Sequence, residues 1–132
     1  VSGTGPVGDL AGMLADMAPM LDAQRWAFVL VEDAQLPDAF AIIREGEGTT
    51  AILPRKDGDF ARITLMVHSA LDGVGLTAAV AAALARQGIA CNVVAGFHHD
   101  HLFVPWQRAE DALEALRDIA QRSVAAGEGP SA

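Results

Sequence analysis

Apolar residues change their spacing along this chain, and each spacing predicts an element. Leu10, Met13, Leu14 and Met17 fall on one helical face, with Asp9 as a candidate N-cap and Pro19 as a stop. The run WAFVLV, Trp26–Val31, predicts a buried strand. Asp33–Asp38 carries a proline and acids and reads as a loop. FAIIRE and TTAILP then form two short strands around Gly46-Glu47-Gly48, a hairpin pattern. Lys56-Asp57-Gly58-Asp59 is a turn and the best boundary between two halves. After it, Ile63, Leu65 and Val67 alternate with Arg62, Thr64 and Met66, the period of a strand with unlike faces.

The next run, LDGVGLTAAVAAALARQGIA from Leu71 to Ala90, joins a strand exit, an amphipathic helix and the start of another strand. Leu76, Val80, Ala83 and Leu84 share one stripe, and Gly88 stands where a glycine cap would close the helix. Strands over Ile89–Phe97 and His101–Pro105 follow. A last helix, from near Gln107, puts Ala109, Ala112, Leu113, Leu116, Ile119 and Ala120 on one face. Its acids Glu110, Asp111 and Glu114 come early and Arg117 and Arg122 late, an order that suits the helix dipole. The second half therefore reads β-α-β-β-α without a clear final strand. The first reads α-β-β-β, with no helix between its first two strands.

Gly73 and Gly75 stand where the loop becomes the helix. Glycine there admits a closely approaching backbone or ligand, and the N–H groups of a first helical turn favour an anion such as a carboxylate. The same glycines also ease a tight turn, and the residues alone do not separate the two roles. Asp72 is placed as an N-cap, worth about 1 kcal/mol.

Composition narrows the field. At 132 residues the chain is one domain, or two subdomains sharing a core. The net charge is −8, and no window offers the basic face that nucleic acid requires: Arg55-Lys56 is followed at once by Asp57 and Asp59. No apolar run approaches the ~20 residues that span a bilayer, and the first residues show no basic region followed by an apolar stretch, so a secretory signal is not expected. These features predict no nucleic-acid or membrane partner and a cytoplasmic protein. The single cysteine, Cys91, excludes an internal disulfide and reads as a small buried hydrophobe.

The histidines are the densest chemistry. His98, His99 and His101 surround Asp100, and His68 ends another strand. Such residues ligate zinc and similar ions. Neighbours on a strand point to opposite faces, however, so the pattern predicts a surface hairpin rather than a metal site; the lining of a pocket near His68 by one or two of the histidines is the lesser alternative. Ser69 follows His68 directly and cannot pair with it as nucleophile and base. Neither G-x-S-x-G nor a phosphate-binding loop is present. No catalytic residue, metal or cofactor is expected.

The pattern Asp72-x-x-Gly75-Leu76-x-x-x-Val80-x-x-x-Leu84-x-x-x-Gly88-Ile89 resembles the first strand-helix-strand passage of an ACT domain. GIACNVVAGFHHDHLFVP, Gly88–Pro105, and the opening DLAGMLADMAPMLDAQRWAFV are similar to a group of short bacterial proteins of unassigned function, built from two ACT-like halves. The resemblance covers Leu10 to Ile119. It implies an α+β ferredoxin-like fold, an antiparallel sheet backed by helices. The expected layout is a flexible leader over 1–8, a truncated ACT-like half over 9–57, a second half over 58–124 and a disordered tail over 125–132.

The resemblance also implies a function. ACT domains bind effectors between two domains, with the loop before the first helix meeting the second strand of a partner. By position, the loop is His68, Ser69, Leu71, Asp72, Gly73, Val74, Gly75 and Leu76, and the facing strand is Asn92, Val93 and Val94. The expectation is a regulatory module, not an enzyme, that binds a small molecule such as an amino acid and forms a homodimer. The alternatives are an interaction module with a decayed ligand site, or a metal-binding protein using the histidine cluster.

Overall fold

A computed structural model describes residues 9–32, 37–67 and 74–127. The order is α1 (Leu10–Ala15), β1 (Pro19–Val31), β2 (Ala41–Glu45), β3 (Gly48–Pro54), β4 (Phe60–Leu65), α2 (Leu76–Ala85), β5 (Asn92–Ala95), β6 (Asp100–Pro105) and α3 (Ala109–Gly127). A 3-10 turn, Trp106–Arg108, leads into α3. The strands form one six-stranded sheet in the order β2-β3-β1-β4-β6-β5. Every pairing is antiparallel. The expected α+β ferredoxin-like arrangement is present.

The alternation in β4 explains the layering. Ile63 and Leu65 point to the side where α1, α2 and α3 lie, and share one core with Met13, Met17, Val80, Leu84, Leu102, Val104, Leu113 and Leu116. Arg62 and Thr64 point to the opposite side, which carries Trp26, Ile52 and Phe103, with Phe40, Phe60 and Val94 packed around them. The sheet curls: Phe40, next to the edge strand β2, reaches Phe103 on β6 at 5.7 Å between ring centroids.

Several local expectations hold. The Asp9 carboxylate caps α1, accepting from the Gly12 N–H at 2.7 Å. The β2–β3 hairpin turns at Gly46-Glu47. Gly88 adopts φ 69°; its N–H bonds the Ala85 carbonyl and the Ile89 N–H bonds Leu84, which closes the end of α2. Gly58 is needed for space, since a Cβ there would lie 2.3 Å from the Trp26 carbonyl oxygen.

Other boundaries move. β1 begins at Pro19, well before Trp26, because a bulge interrupts its alternation: Asp22, Ala23 and Gln24 stand opposite Arg62 alone. Met17 is fully buried but lies beyond α1, which ends at Ala15. β5 covers only Asn92–Ala95 of the expected Ile89–Phe97. α3 runs to Gly127, so Arg122 is not in its last turn, and the dipole pairing expected there is missing. Residues 1–8 and 128–132 lie outside the described residues.

The missing final strand of the second half has a substitute. A ferredoxin-like unit places its fourth strand beside its first. Here β1 fills that position: Pro19, Met20 and Leu21 pair with Leu65, Thr64 and Ile63 on β4, while Trp26–Val31 pair with β3. One strand thus belongs to both halves. Among the described residues, no helix is long and apolar enough to cross a membrane.

Candidate functional site

The β4–α2 connection leaves the sheet at Leu65, which pairs with Asp100, and Asp100 pairs with Ala95. The β5–β6 turn therefore shares an end of the sheet with that connection and with the α1–β1 junction, where Pro19 pairs with Leu65. His68, Ser69, Leu71, Asp72 and Gly73 lie outside the described residues. Val74 is 83% exposed and Leu76 is buried in the helix-side core. Between them Gly75 adopts φ 102° and is the N-cap of α2, with no side-chain cap. The helix thus starts after the expected Gly73, and Asp72 does not hold the N-cap position. As at any helix start, the N–H groups of the first turn lack an intrahelical acceptor. The space at Gly75 is also tight: a Cβ would lie 3.2 Å from the Leu10 side chain.

The facing strand, β5, is an edge of the sheet. Asn92 is exposed, Val93 packs toward the helices, and Val94 packs toward the aromatic face. Asn92 pairs with Phe103 and Ala95 with Asp100, so Asn92 is the strand residue furthest from the turn. Cys91, half-buried against the helix-side core, has its thiol pKa pushed up by burial.

The histidines do not form a common surface. His98 is exposed in the β5–β6 turn, whereas His99 is half-buried with its Nδ1 enclosed and without a hydrogen-bond partner. His99 thus departs from the expected surface position. His101 stands on β6, sharing a 2.9 Å hydrogen bond between its Nδ1 and the Thr64 hydroxyl. Burial lowers the His101 pKa, and Arg62 and His99 lower it further. Burial raises that of Asp100, while His99 works against the rise. Among the described residues, no three of His, Cys, Asp and Glu converge to hold a metal ion.

Sequence reasoning missed the cluster around Arg62. Its guanidinium lies 4.7 Å from the ring centres of both Trp26 and Phe40. Asp22, from the bulge, stands 3.9 Å from that guanidinium and accepts from the Trp26 indole N–H at 2.9 Å. Phe40 also meets His101, at 4.8 Å between centroids. These residues are far apart in sequence, and only the alternation in β4 marks Arg62 as facing away from the helices.

The ACT-domain family matches the chain twice, over residues 6–68 and over residues 61–118. A Vibrio cholerae protein of unknown function, described as a possible transport protein, is 39% identical, with a TM-score of 0.67 over 80% of this chain and 92% of its own. This chain belongs to the ACT-domain family. It carries two ACT-like halves, as the opening and the Gly88–Pro105 run imply. The ligand-free regulatory subunit of aspartate kinase from Thermus thermophilus shares the fold, with a TM-score of 0.62, 14% identity, and coverage of 79% of this chain and 97% of its own. An Agrobacterium tumefaciens protein does so at 0.57 and 21%, over 72% of this chain and 81% of its own. No protein of curated function matches. ACT domains are typically ligand-binding regulatory modules, as in the regulatory subunits of aspartate kinase.

Proposed function

We propose that this ACT-domain protein is a non-catalytic regulatory module of the cytoplasm that binds an amino acid between two copies of the chain. The loop from His68 to Leu76 receives the ligand from one copy, and Asn92, Val93 and Val94 close it from the other. The observation that carries this reading is Gly75: a left-handed glycine at the N-cap of α2, at the position where ACT domains meet their effector. Amides of that turn suit an α-carboxylate. The Asp72 carboxylate suits an α-amino group, and the Asn92 amide both donates and accepts. β5 supports the assembly, since an edge strand with open backbone groups invites a partner.

Calorimetry with the twenty amino acids, run beside light scattering, tests the reading. A ligand at a hundredfold its Kd adds about 2.7 kcal/mol of stability, a shift of several degrees in a thermal scan. Asn92→Ala, at an exposed site, is expected to weaken binding without changing the melting temperature of the free protein. Gly75→Val is expected to abolish binding, and His99→Ala to leave more of it. A monomer at high micromolar concentration, or binding lost through His99→Ala and kept in Gly75→Val, would overturn the reading. The second result would move the site to the histidine turn.

A further inference from the structure

At the other end of the sheet, away from the β4–α2 connection, the fold gathers positive charge. A cleft of about 470 Å³ is lined by Ala23, Gln24, Arg25, Pro54, Arg55, Lys56 and Trp106. It holds three of the chain's nine basic side chains, in a protein of net charge −8. In sequence Arg25 is remote from Arg55-Lys56. The β1–β3 pairing of Trp26 with Pro54 unites them, and the Arg55 N–H bonds the Arg25 carbonyl at 3.0 Å.

The cleft is built rather than incidental. The Arg25 Nε donates to the Gly58 carbonyl at 2.7 Å, and its guanidinium lies 4.8 Å from the centre of the Trp106 ring. These contacts fix the guanidinium, so little rotamer freedom remains to be lost on binding. Trp106 is itself held, its backbone N–H bonding the Asp59 carbonyl at 2.8 Å. The bulge supplies a further wall through Ala23 and Gln24. Asp57 and Asp59 are close in sequence, yet among the described residues none of the three cations makes an ion pair. Elsewhere Arg62, Arg108 and Arg122 each have an acidic partner, whereas Arg44, Arg86 and Arg117 have none among the described residues and stand apart from one another in the sequence.

We propose that this cleft binds a small organic phosphate, with a diphosphate group held by Arg25, Arg55 and Lys56 and an apolar or planar portion against Trp106 and Pro54. Three cations lining one cleft match a ligand of more than one negative charge, and the Arg fork suits phosphate oxygens in pairs. The volume lies within the range of small-molecule sites. The site is separate from the effector loop and does not depend on it.

Calorimetry with pyrophosphate, ADP and sulfate at matched ionic strength tests the proposal, with Trp fluorescence as a second readout. Saturable one-to-one binding of pyrophosphate or ADP is expected, and sulfate is expected to bind more weakly. Arg55→Ser/Lys56→Ser changes two exposed side chains and is expected to weaken binding by roughly tenfold or more, as loss of charge-assisted contacts implies. Arg122→Ser, a cation on α3, is expected to leave it intact. Equal affinities for pyrophosphate and ADP would assign the ligand's energy to the diphosphate. Tighter ADP binding, with a fluorescence change that Trp106→Phe removes, would assign part of it to the ring. No saturable binding at millimolar concentration, or equal losses in the double variant and in Arg122→Ser, would overturn the proposal.

Discussion

The two faces of the sheet solve the same burial problem with different chemistry. On the helix side, Ile63, Leu65, Leu102 and Val104 meet alkyl side chains from three helices. On the other side, where none of the described helices lies, the curl brings Trp26, Phe28, Phe40, Phe60 and Phe103 together edge to face, and Arg62 and His101 join them. The first face excludes water by covering itself. Among the described residues the second has no covering layer, and it uses large rings with half-buried polar groups: Thr64 bonds His101 and Arg62 lies over Trp26 and Phe40, while the Arg62 Nε is left without a hydrogen-bond partner. Curvature takes the place of a second layer of helices.

Neighbouring residues on β6 allow the faces to be compared directly. Leu102 points to the helices and Phe103 to the rings, and both are buried. Phe103→Ala is expected to cost about 3–5 kcal/mol and Leu102→Ala about 2–5 kcal/mol, measured by urea denaturation. A Phe103 cost below about 1 kcal/mol would show that the ring cluster is surface decoration rather than core. Gly58→Ala forces a Cβ into the Trp26 backbone and is expected to cost about 1–3 kcal/mol, the usual penalty of overpacking. Its disturbance should show in the Trp26 environment, read by fluorescence, and leave the α2–α3 contact unchanged.

Arg62→Met retains length and loses charge. About 0.5–1 kcal/mol of stability should go with the contacts to Trp26 and Phe40. No loss would mean that the guanidinium contributes only bulk.

The smallest effect is the pH dependence of the aromatic face. His101 titrates below its ordinary value because of burial first, then Arg62 and His99. The folded state therefore prefers the neutral ring, which can accept from Thr64. The unfolded chain takes up a proton near pH 6.5, so this contribution is full above that pH and is lost as the pH falls through the folded pKa. Urea midpoints at pH 7.5 and 5.5, about one unit either side, should differ less in His101→Gln than in the parent protein. Equal slopes would remove His101 from the account.

What the sequence displays follows from how local each signal is. The alternation through Ile63, Leu65 and Val67 needs only its own strand, and so does the stripe Leu76, Val80, Ala83, Leu84. Both were readable, as were the Asp9 cap and the Gly88 terminator. β1 hid its first half because the bulge at Asp22–Gln24 breaks the period and because Pro19, a helix stop, is also an acceptable first residue of a strand. The ring cluster and the cationic cleft hid for a different reason. Each is assembled by strand register across long separations, as Arg25 with Arg55 and Phe40 with Phe103. Of the expected effector loop, His68 to Gly73 lie outside the described residues, and the N-cap fell to Gly75 rather than Asp72. Nothing in the spacing separated those two starts.

The sharing of β1 between the halves has a consequence for synthesis on the ribosome. β1 emerges early, and its partner on one side, β3, follows within the same half. Its other partner, β4, comes only after the Lys56–Asp59 turn. Until then the nascent strand presents an unpaired inner edge with Leu21 uncovered, the kind of surface that recruits wrong partners. The chain cannot be cut at that turn into two self-sufficient pieces. Fragments 9–57 and 58–124, expressed separately, are expected to remain unfolded alone and to assemble when mixed, because each holds one side of the same strand pairing.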